Sequence, residues 1–275
     1  MTEEKTDAFW HGTPDLYAFA DLPRYESVAN IARSTGWPEL DFIYKLYPGQ
    51  FTVVHGPTNH GKSTFLMNLI CNQFCEYGTK SFVYLPENEK HLRERFSLIW
   101  GDRPGWDAFG EVGMVVASSI RRYDEQPHDL GWLLSHAYAA HNEGHSGLVV
   151  LDPWNEIEWM RPKDMTLTEF IGDCLKMITG FCRETNIAVI LSAHPTKSGV
   201  LEGKPPGAYN IDGSAHWANK PDNILCVFRS PDKKNETRVL SQKVREIGAG
   251  KRGECFFNVD EDTGLFTPQY GAVSL

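Results

Sequence analysis

Phe51-Thr-Val-Val-His-Gly-Pro-Thr-Asn-His-Gly-Lys-Ser-Thr64 joins a short apolar run to a glycine-bounded loop, and the loop to a stretch of helical periodicity. Gly56, four intervening residues and then Gly61-Lys62-Ser63 have the spacing of a phosphate-binding loop, the Walker A motif. In such a loop consecutive backbone N–H groups turn inward onto phosphate oxygens, and the helix that follows adds its partial positive charge. Gly56, Pro57, Thr58, Asn59, His60, Gly61, Lys62, Ser63 and Thr64 are therefore the expected nucleotide cradle. Lys62 would reach the β- and γ-phosphates, and the Ser63 hydroxyl would sit on Mg²⁺. A chance Gly/Ser loop has no reason to lie between a strand and a helix. The expected cofactors are ATP and Mg²⁺.

Outward from the loop the pattern keeps alternating. Phe65, Leu66, Leu69, Ile70 and Phe74 recur at helical spacing from Ser63 to Tyr77, and Gly78 stops that helix. Ser81–Leu85 reads as a buried strand, Lys90–Trp100 as a helix, and a Gly/Pro loop runs through Gly105. Val112–Ala117 is an expected strand, Leu130–Glu143 a helix and Leu148–Leu151 a strand ending at Asp152. Leu167–Glu184 is helical, Asn186 lies in a turn, and Ile187–Ser192 is a further apolar strand. Strands alternating with helices predict a mostly parallel α/β sheet with helices on both faces. After Pro221 the pattern changes to strands at Asn223–Phe228, Thr237–Gln242 and Cys255–Val259 with short turns, which reads as antiparallel hairpins added at the C-terminal edge. Residues 1–33 read as an arm or linker, with a short helix near Tyr25–Ala32, either disordered or packed on a neighbouring subunit. Residues 34–275 form the expected ATPase domain.

Composition limits the function classes. No apolar run approaches the roughly 20 residues needed to cross a bilayer, and the acidic N-terminus lacks an apolar signal core. The expectation is a cytoplasmic setting, bacterial or phage-infected, with a mitochondrial one left open, and no membrane. The six cysteines form no CxxC pair, and neither they nor the ten histidines show metal-ligand spacing. A formal charge of −9 argues against a uniformly basic nucleic-acid coat. It leaves room for a local one, because residues 229–252 carry eight Lys/Arg against three Asp/Glu.

Ligands of an open parallel sheet gather at the carboxyl ends of its strands. Asp152, after Leu148-Val-Val-Leu151, has the Walker B pattern and would hold Mg²⁺ through water. Glu87, after Phe82-Val-Tyr-Leu-Pro86, is placed to orient and deprotonate an attacking water. His194, after Ile190-Leu-Ser-Ala193, is placed to donate to the γ-phosphate. Each residue type also forms ordinary caps and turns, and an Ala-His-Pro sequence makes an ordinary loop.

With these residues in view, the chain resembles the DnaB-like replicative helicases, specifically the ATPase half of the Twinkle and phage primase-helicase type. The resemblance runs from about Ser34 to Phe266. It rests on Thr35-Gly-Trp-Pro-Glu-Leu-Asp41, on Pro48-Gly-Gln-Phe51 leading into the phosphate loop, and on Leu151-Asp-Pro-Trp-Asn-Glu156. Ser192-Ala-His-Pro195, Gly213-Ser-Ala215 with Pro221-Asp-Asn-Ile224, and Gln242-Lys-Val-Arg245 extend it. It implies a RecA-like core in a homo-oligomeric ring, usually a hexamer, with nucleotide at each junction. Glu87 then matches the catalytic glutamate, Asp152 the Walker B acid and His194 the γ-phosphate sensor. Lys243 and Arg245 match a basic pair reaching into the neighbour's site; by themselves they also read as a solvated strand face.

Two loops are expected to face a central channel holding single-stranded DNA. One carries Arg161 and Lys163, the other Lys197 and Lys204; both also read as solvent loops. Pro86 before Glu87 leaves the register of the base open, with Glu89 as the alternative. No primase region and no collar-forming helical N-terminal domain are present, so a separate primase is an expected partner. The reading is an ATP-hydrolysing helicase motor. A RecA- or KaiC-like switch or recombinase, or a nucleotide-bound assembly module without unwinding, remain as alternatives.

Overall fold

A computed structural model describes residues 19–21, 24–120, 126–197, 203–230, 232–233 and 235–274. Residues 1–18, 22 and 23 of the expected arm lie outside these. In chain order, α1 (Val28–Ile31) and α2 (Pro38–Asp41) precede β1 (Phe51–His55), α3 (Lys62–Tyr77) and β2 (Ser81–Tyr84). A 3₁₀ turn, Pro86–His91, leads to α4 (Leu92–Trp100), α5 (Trp106–Val112), β3 (Met114–Val116), α6 (Leu130–Asn142) and β4 (Leu148–Leu151). Then come α7 (Leu167–Thr185), β5 (Ala188–Ala193), α8 (His216–Asn219), β6 (Asn223–Arg229), β7 (Glu236–Val244), β8 (Gly253–Val259) and β9 (Phe266–Ser274).

All nine strands form one sheet in the order β3-β2-β4-β5-β1-β6-β7-β8-β9. The strands from β3 to β6 run parallel, and β7, β8 and β9 then alternate in direction. Alternate residues of each parallel strand feed opposite faces, the period-2 consequence of the pleat. Val54, Val83, Val150 and Ile190 pack with Leu66 and Ile70 of α3. Val53, Phe82, Val149 and Val189 pack with Leu133 of α6 and with Leu175 and Ile178 of α7. Among the described residues no helix is long and apolar enough to cross a membrane.

Local chemistry sets the helix ends. Gly78 ends α3 with a left-handed φ of 63°, its N–H bonding back to Phe74 O. Thr166 and Glu169 form a reciprocal capping box at the start of α7. The Thr35–Asp41 segment closes on itself, because the Asp41 carboxylate accepts from Ser34 Oγ, Thr35 N and Thr35 Oγ1. That closure seats Trp37 against Phe65 of α3 and Phe257 of β8, with Trp37 Nε1 donating to Phe266 O. Gly36 sits at φ +83°, and a Cβ there would lie 2.6 Å from Asn72. The turn thus ties the start of the described core to both α3 and the C-terminal strands.

Three departures from the sequence reading have physical causes. Trp106–Val112 is a helix where a loop was expected to give way to a strand, because Trp106 and Phe109 bury against Trp100. The strand after it shrinks to Met114–Val116. β6, read as the first strand of a hairpin set, pairs parallel with β1 on one side and antiparallel with β7 on the other. β9 was not foreseen; its Phe266-Thr-Pro-Gln-Tyr-Gly stretch has Pro268 and Gly271, which weaken the strand pattern.

Candidate active site

The carboxyl ends of β1, β2, β4, β5 and β6 converge on one cleft of about 840 Å³. Thr58, Asn59, Gly61, Lys62, Ser63 and Thr64 form one wall, and Glu87, Asp152 and His194 line the rest with Arg95 and Arg229. The chain leaves β1 at Gly56 with φ +148°, where a Cβ would fall 2.1 Å from the Val227 carbonyl oxygen. Only glycine lets the loop pass so close to β6. Asn59 takes a left-handed φ of 64°, tolerated by its short polar side chain.

His60 is not part of the cleft lining. Its Nδ1 accepts from Arg229 N at 3.0 Å and its ring packs 5.0 Å from Phe228, so it pins the loop to the end of β6. Gly56 and Pro57 likewise shape the loop from behind.

Lys62 is buried, and its Nζ donates to Gly56 O at 2.9 Å and Pro57 O at 3.0 Å and lies 3.2 Å from His194 Nδ1. Burial lowers its pKa, while Asp152 and Glu87 pull the other way. Burial first, and the Lys62 charge second, push His194 down to about 4. A neutral His194 accepting at Nδ1 carries its proton on Nε2, which leaves one N–H to donate.

Asp152 is buried at the end of β4, and its backbone N–H bonds Tyr84 O of β2. Ser192 of β5 donates its hydroxyl to Asp152 Oδ1, whereas Oδ2 is buried with no partner. Burial raises the pKa; the Ser192 and Ser63 hydroxyls and Lys62 oppose it. A buried carboxylate oxygen without a donor, beside a serine hydroxyl, suits a hard cation with oxygen ligands. Ser63 and Asp152 therefore fit Mg²⁺.

The two candidate bases separate clearly. Glu87 lines the cleft, and its pKa is raised by burial, then by Asp152 and Glu156, against the opposing charge of Lys62. Glu89 faces away; burial would raise its pKa, but the bonds it accepts from Ser118 and Ser119 together hold it down. The structure brings Glu87 to the cleft and not Glu89.

Lys243 and Arg245 are not in this cleft. Arg245 follows the end of β7, level with the start of β1, since Val244 pairs with Asn223 and Asn223 with Thr52. The four-residue step from Thr52 to Gly56 is about 13 Å of strand, and two inter-strand spacings add about 10 Å sideways. Lys243 Nζ donates to Ala218 O and Asn219 O. Arg245 pairs with Asp222 at 3.0 Å and donates to the carbonyls of Asn219, Lys220 and Pro221. These are bonded groups, not a loose solvated face.

Arg161, Lys163, Lys197 and Lys204 are all exposed, on loops that leave the carboxyl ends of β4 and β5. Arg161 donates to Met165 O. The second loop is closed at its base by the Pro195–Ile211 bridge and by Thr196 N to Asn210 O; residues 198–202 of it lie outside the described residues. Arg95 and Arg229 are the cleft residues that sequence reasoning missed. Arg229 ends β6, so assigning that strand to the parallel set would have found it.

No family model matches the chain. It is 32% identical to the Twinkle homolog protein, chloroplastic/mitochondrial, of Arabidopsis thaliana, over 85% of this chain and 36% of that protein. The chain thus spans about a third of the length of that curated relative. The fold is similar to a solved structure of an isolated ATPase domain, with a TM-score of 0.71 and 17% identity over 86% of this chain and 90% of the other. It is also similar to a DnaB-like replicative helicase from a structure describing its interactions with primase. There the TM-score is 0.68 and the identity 16%, over 85% of this chain and 61% of the other.

Proposed function

The chain is an ATPase domain of the DnaB-like helicase type, and on that premise we propose that it hydrolyses ATP as the motor of a ring-forming replicative DNA helicase moving on single-stranded DNA. The observation that carries this reading is the convergence of Lys62, Ser63, Glu87, Asp152 and His194 on one cleft at the carboxyl ends of adjacent parallel strands. In the proposed mechanism the loop N–H groups and Lys62 hold the phosphates, and Ser63 and Asp152 hold Mg²⁺. The metal would draw charge from the phosphate oxygens as the bond breaks.

Glu87 accepts the proton of the attacking water, a task its raised pKa suits. His194, neutral and carrying its proton on Nε2, donates to the γ-phosphate and links its presence to Lys62. Arg245, with Lys243 beside it, completes the site of the next subunit in a ring, most simply a hexamer. Its distance from the cleft of its own chain is what this reading requires. The exposed Arg161, Lys163, Lys197 and Lys204 track the phosphates of the strand without reading bases. A separate primase is the natural further partner, and the setting is a compartment where DNA is replicated.

The test is ATP turnover with and without single-stranded DNA, alongside particle size with and without nucleotide. The proposal expects DNA-stimulated turnover, a ring-sized particle and DNA binding that weakens steeply with salt. Turnover indifferent to DNA from a particle that stays monomeric would overturn it.

A further inference from the structure

The 3₁₀ turn Pro86–His91 holds two carboxylates two residues apart in opposite surroundings. A 3₁₀ helix advances about 120° per residue, so positions i and i+2 point about 240° apart and cannot share a face. Glu87 lines the cleft with Lys62 and Asp152. Glu89 reaches the other way, to the turn that follows the edge strand β3. There Ser118 Oγ donates to Oε1, while Ser119 N at 2.8 Å and Ser119 Oγ at 2.7 Å both donate to Oε2. The serine turn is itself fixed to the sheet, because Ala117 N bonds Val83 O of β2 at 2.8 Å. Ile120 N in turn bonds Ser118 Oγ.

A carboxylate gripped by three donors makes charge-assisted bonds, stronger and more directional than neutral ones. Three further features keep the turn folded without it. Pro86 presets the first residue, Asn88 N bonds Leu85 O, and Asn88 and Leu92 are buried. The Glu89 grip therefore adds little to whether the turn forms and much to its rotation about its own axis. That rotation decides where Glu87 points.

We propose that Glu89 is a positioning residue for hydrolysis: clamped by Ser118 and Ser119 at the sheet edge, it sets the roll of the turn and so aims Glu87 at the attacking water. The proposal rests on the reading of Glu87 as the base. A base displaced by about 1 Å loses on the order of 100-fold in rate while substrate contacts made elsewhere persist. The phosphate loop holds the nucleotide and does not touch the clamp, so binding and turnover part company.

The experiment compares steady-state ATP turnover and the affinity for a fluorescent ATP analogue in Glu89→Ala, Glu89→Gln, the Ser118→Ala/Ser119→Ala double variant and Glu87→Gln. Glu89→Ala is expected to lose about 10- to 100-fold in kcat, with KM and analogue affinity within about twofold. Glu89→Gln keeps one acceptor oxygen and recovers part of that loss. The serine double variant shows a smaller loss, and adding it to Glu89→Ala changes nothing further, because one interaction has been removed twice. Should Glu89→Ala fail to fold, the serine double variant carries the same prediction.

Wild-type turnover in Glu89→Ala or in the serine double variant, with Glu87→Gln inactive, overturns the clamp and leaves the base assignment standing. Loss through KM alone also overturns it. Activity in Glu87→Gln with none in Glu89→Gln overturns both, making Glu89 the base.

Discussion

Two charged regions of this sheet are built in opposite ways. At the carboxyl edge of the parallel strands the charged groups are crowded and under-bonded. Asp152 keeps one buried oxygen without a donor, Glu87 is pushed toward its neutral form by burial and neighbouring carboxylates, and Lys62 is buried against two carbonyls. Beyond the far end of β7 the charges are saturated. Arg245 has Asp222 and three carbonyls, and Asp222 also accepts from Phe51 N. Burial without partners costs folding free energy, and the first region carries that cost where chemistry needs reactive groups. The second region is stable as it stands, which suits a pair that must keep its shape until a neighbouring subunit arrives.

The largest effect expected from breaking this contrast is at the phosphate loop. Lys62→Ala should leave folded protein with no measurable ATP turnover, because the ammonium neutralises phosphate charge and caps no core contact. Normal turnover in a folded variant contradicts the assignment of the cleft. Next comes Glu87→Gln, for which turnover should fall by about 10²- to 10⁴-fold while nucleotide affinity persists. Loss of affinity along with rate would instead mark Glu87 as a binding group.

A smaller effect sharpens the contrast from the stability side. Burial raises the Asp152 pKa, so at neutral pH the ionised carboxylate opposes folding. Asp152→Asn should raise the nucleotide-free melting temperature by about 2–4 °C, the equivalent of about 1 kcal/mol in a chain of this size. The same variant should be inactive. A lower Tm would mean that the carboxylate is stabilising and the cleft less strained than its geometry states.

The smallest effect concerns pH. His55, the last residue of β1, is fully buried with its Nε2 2.8 Å from Gln242 Oε1, and burial holds its pKa down to about 4. Gln242 Nε2 donates to Pro206 O, so its oxygen faces His55 and accepts the Nε2 proton. The unfolded chain binds a proton near the ordinary value of about 6.5, and the folded chain refuses one until about pH 4. Stability from this group is therefore complete above about pH 6.5 and lost as pH falls toward 4, up to about 3 kcal/mol in total. Urea titrations across that window should show the slope in the wild type and a shallower one in His55→Gln.

Much of the cleft was legible in the sequence because each residue sits at a strand end that the apolar pattern announces. Leu148-Val-Val-Leu151 delivers Asp152, and Ile190-Leu-Ser-Ala193 delivers His194. What was not legible depends on pairing. Nothing in Asn223–Arg229 says that β6 lies parallel beside β1, so Arg229 stayed hidden. The choice between Glu87 and Glu89 needed Ser118 and Ser119, about thirty residues away in sequence. α5 was masked by Gly105 and Gly110, and only the Trp106 and Phe109 packing reveals why the helix forms. The phosphate loop was read as one uniform cradle, yet His60 turns back onto Phe228, a contact made across the sheet.

The central claim is that the two regions meet across a subunit junction, and mixing variants tests it most directly. An Arg245→Ala subunit keeps Glu87, and a Glu87→Gln subunit keeps Arg245. After subunit exchange, some junctions join an intact Glu87 to an intact Arg245. An arginine supplied in this way contributes about 10³–10⁵ in rate, so even a minority of repaired junctions is measurable. The account predicts turnover in the mixture well above the sum of the two parents, peaking at intermediate ratios. Turnover that never exceeds that sum, with exchange verified, would contradict it.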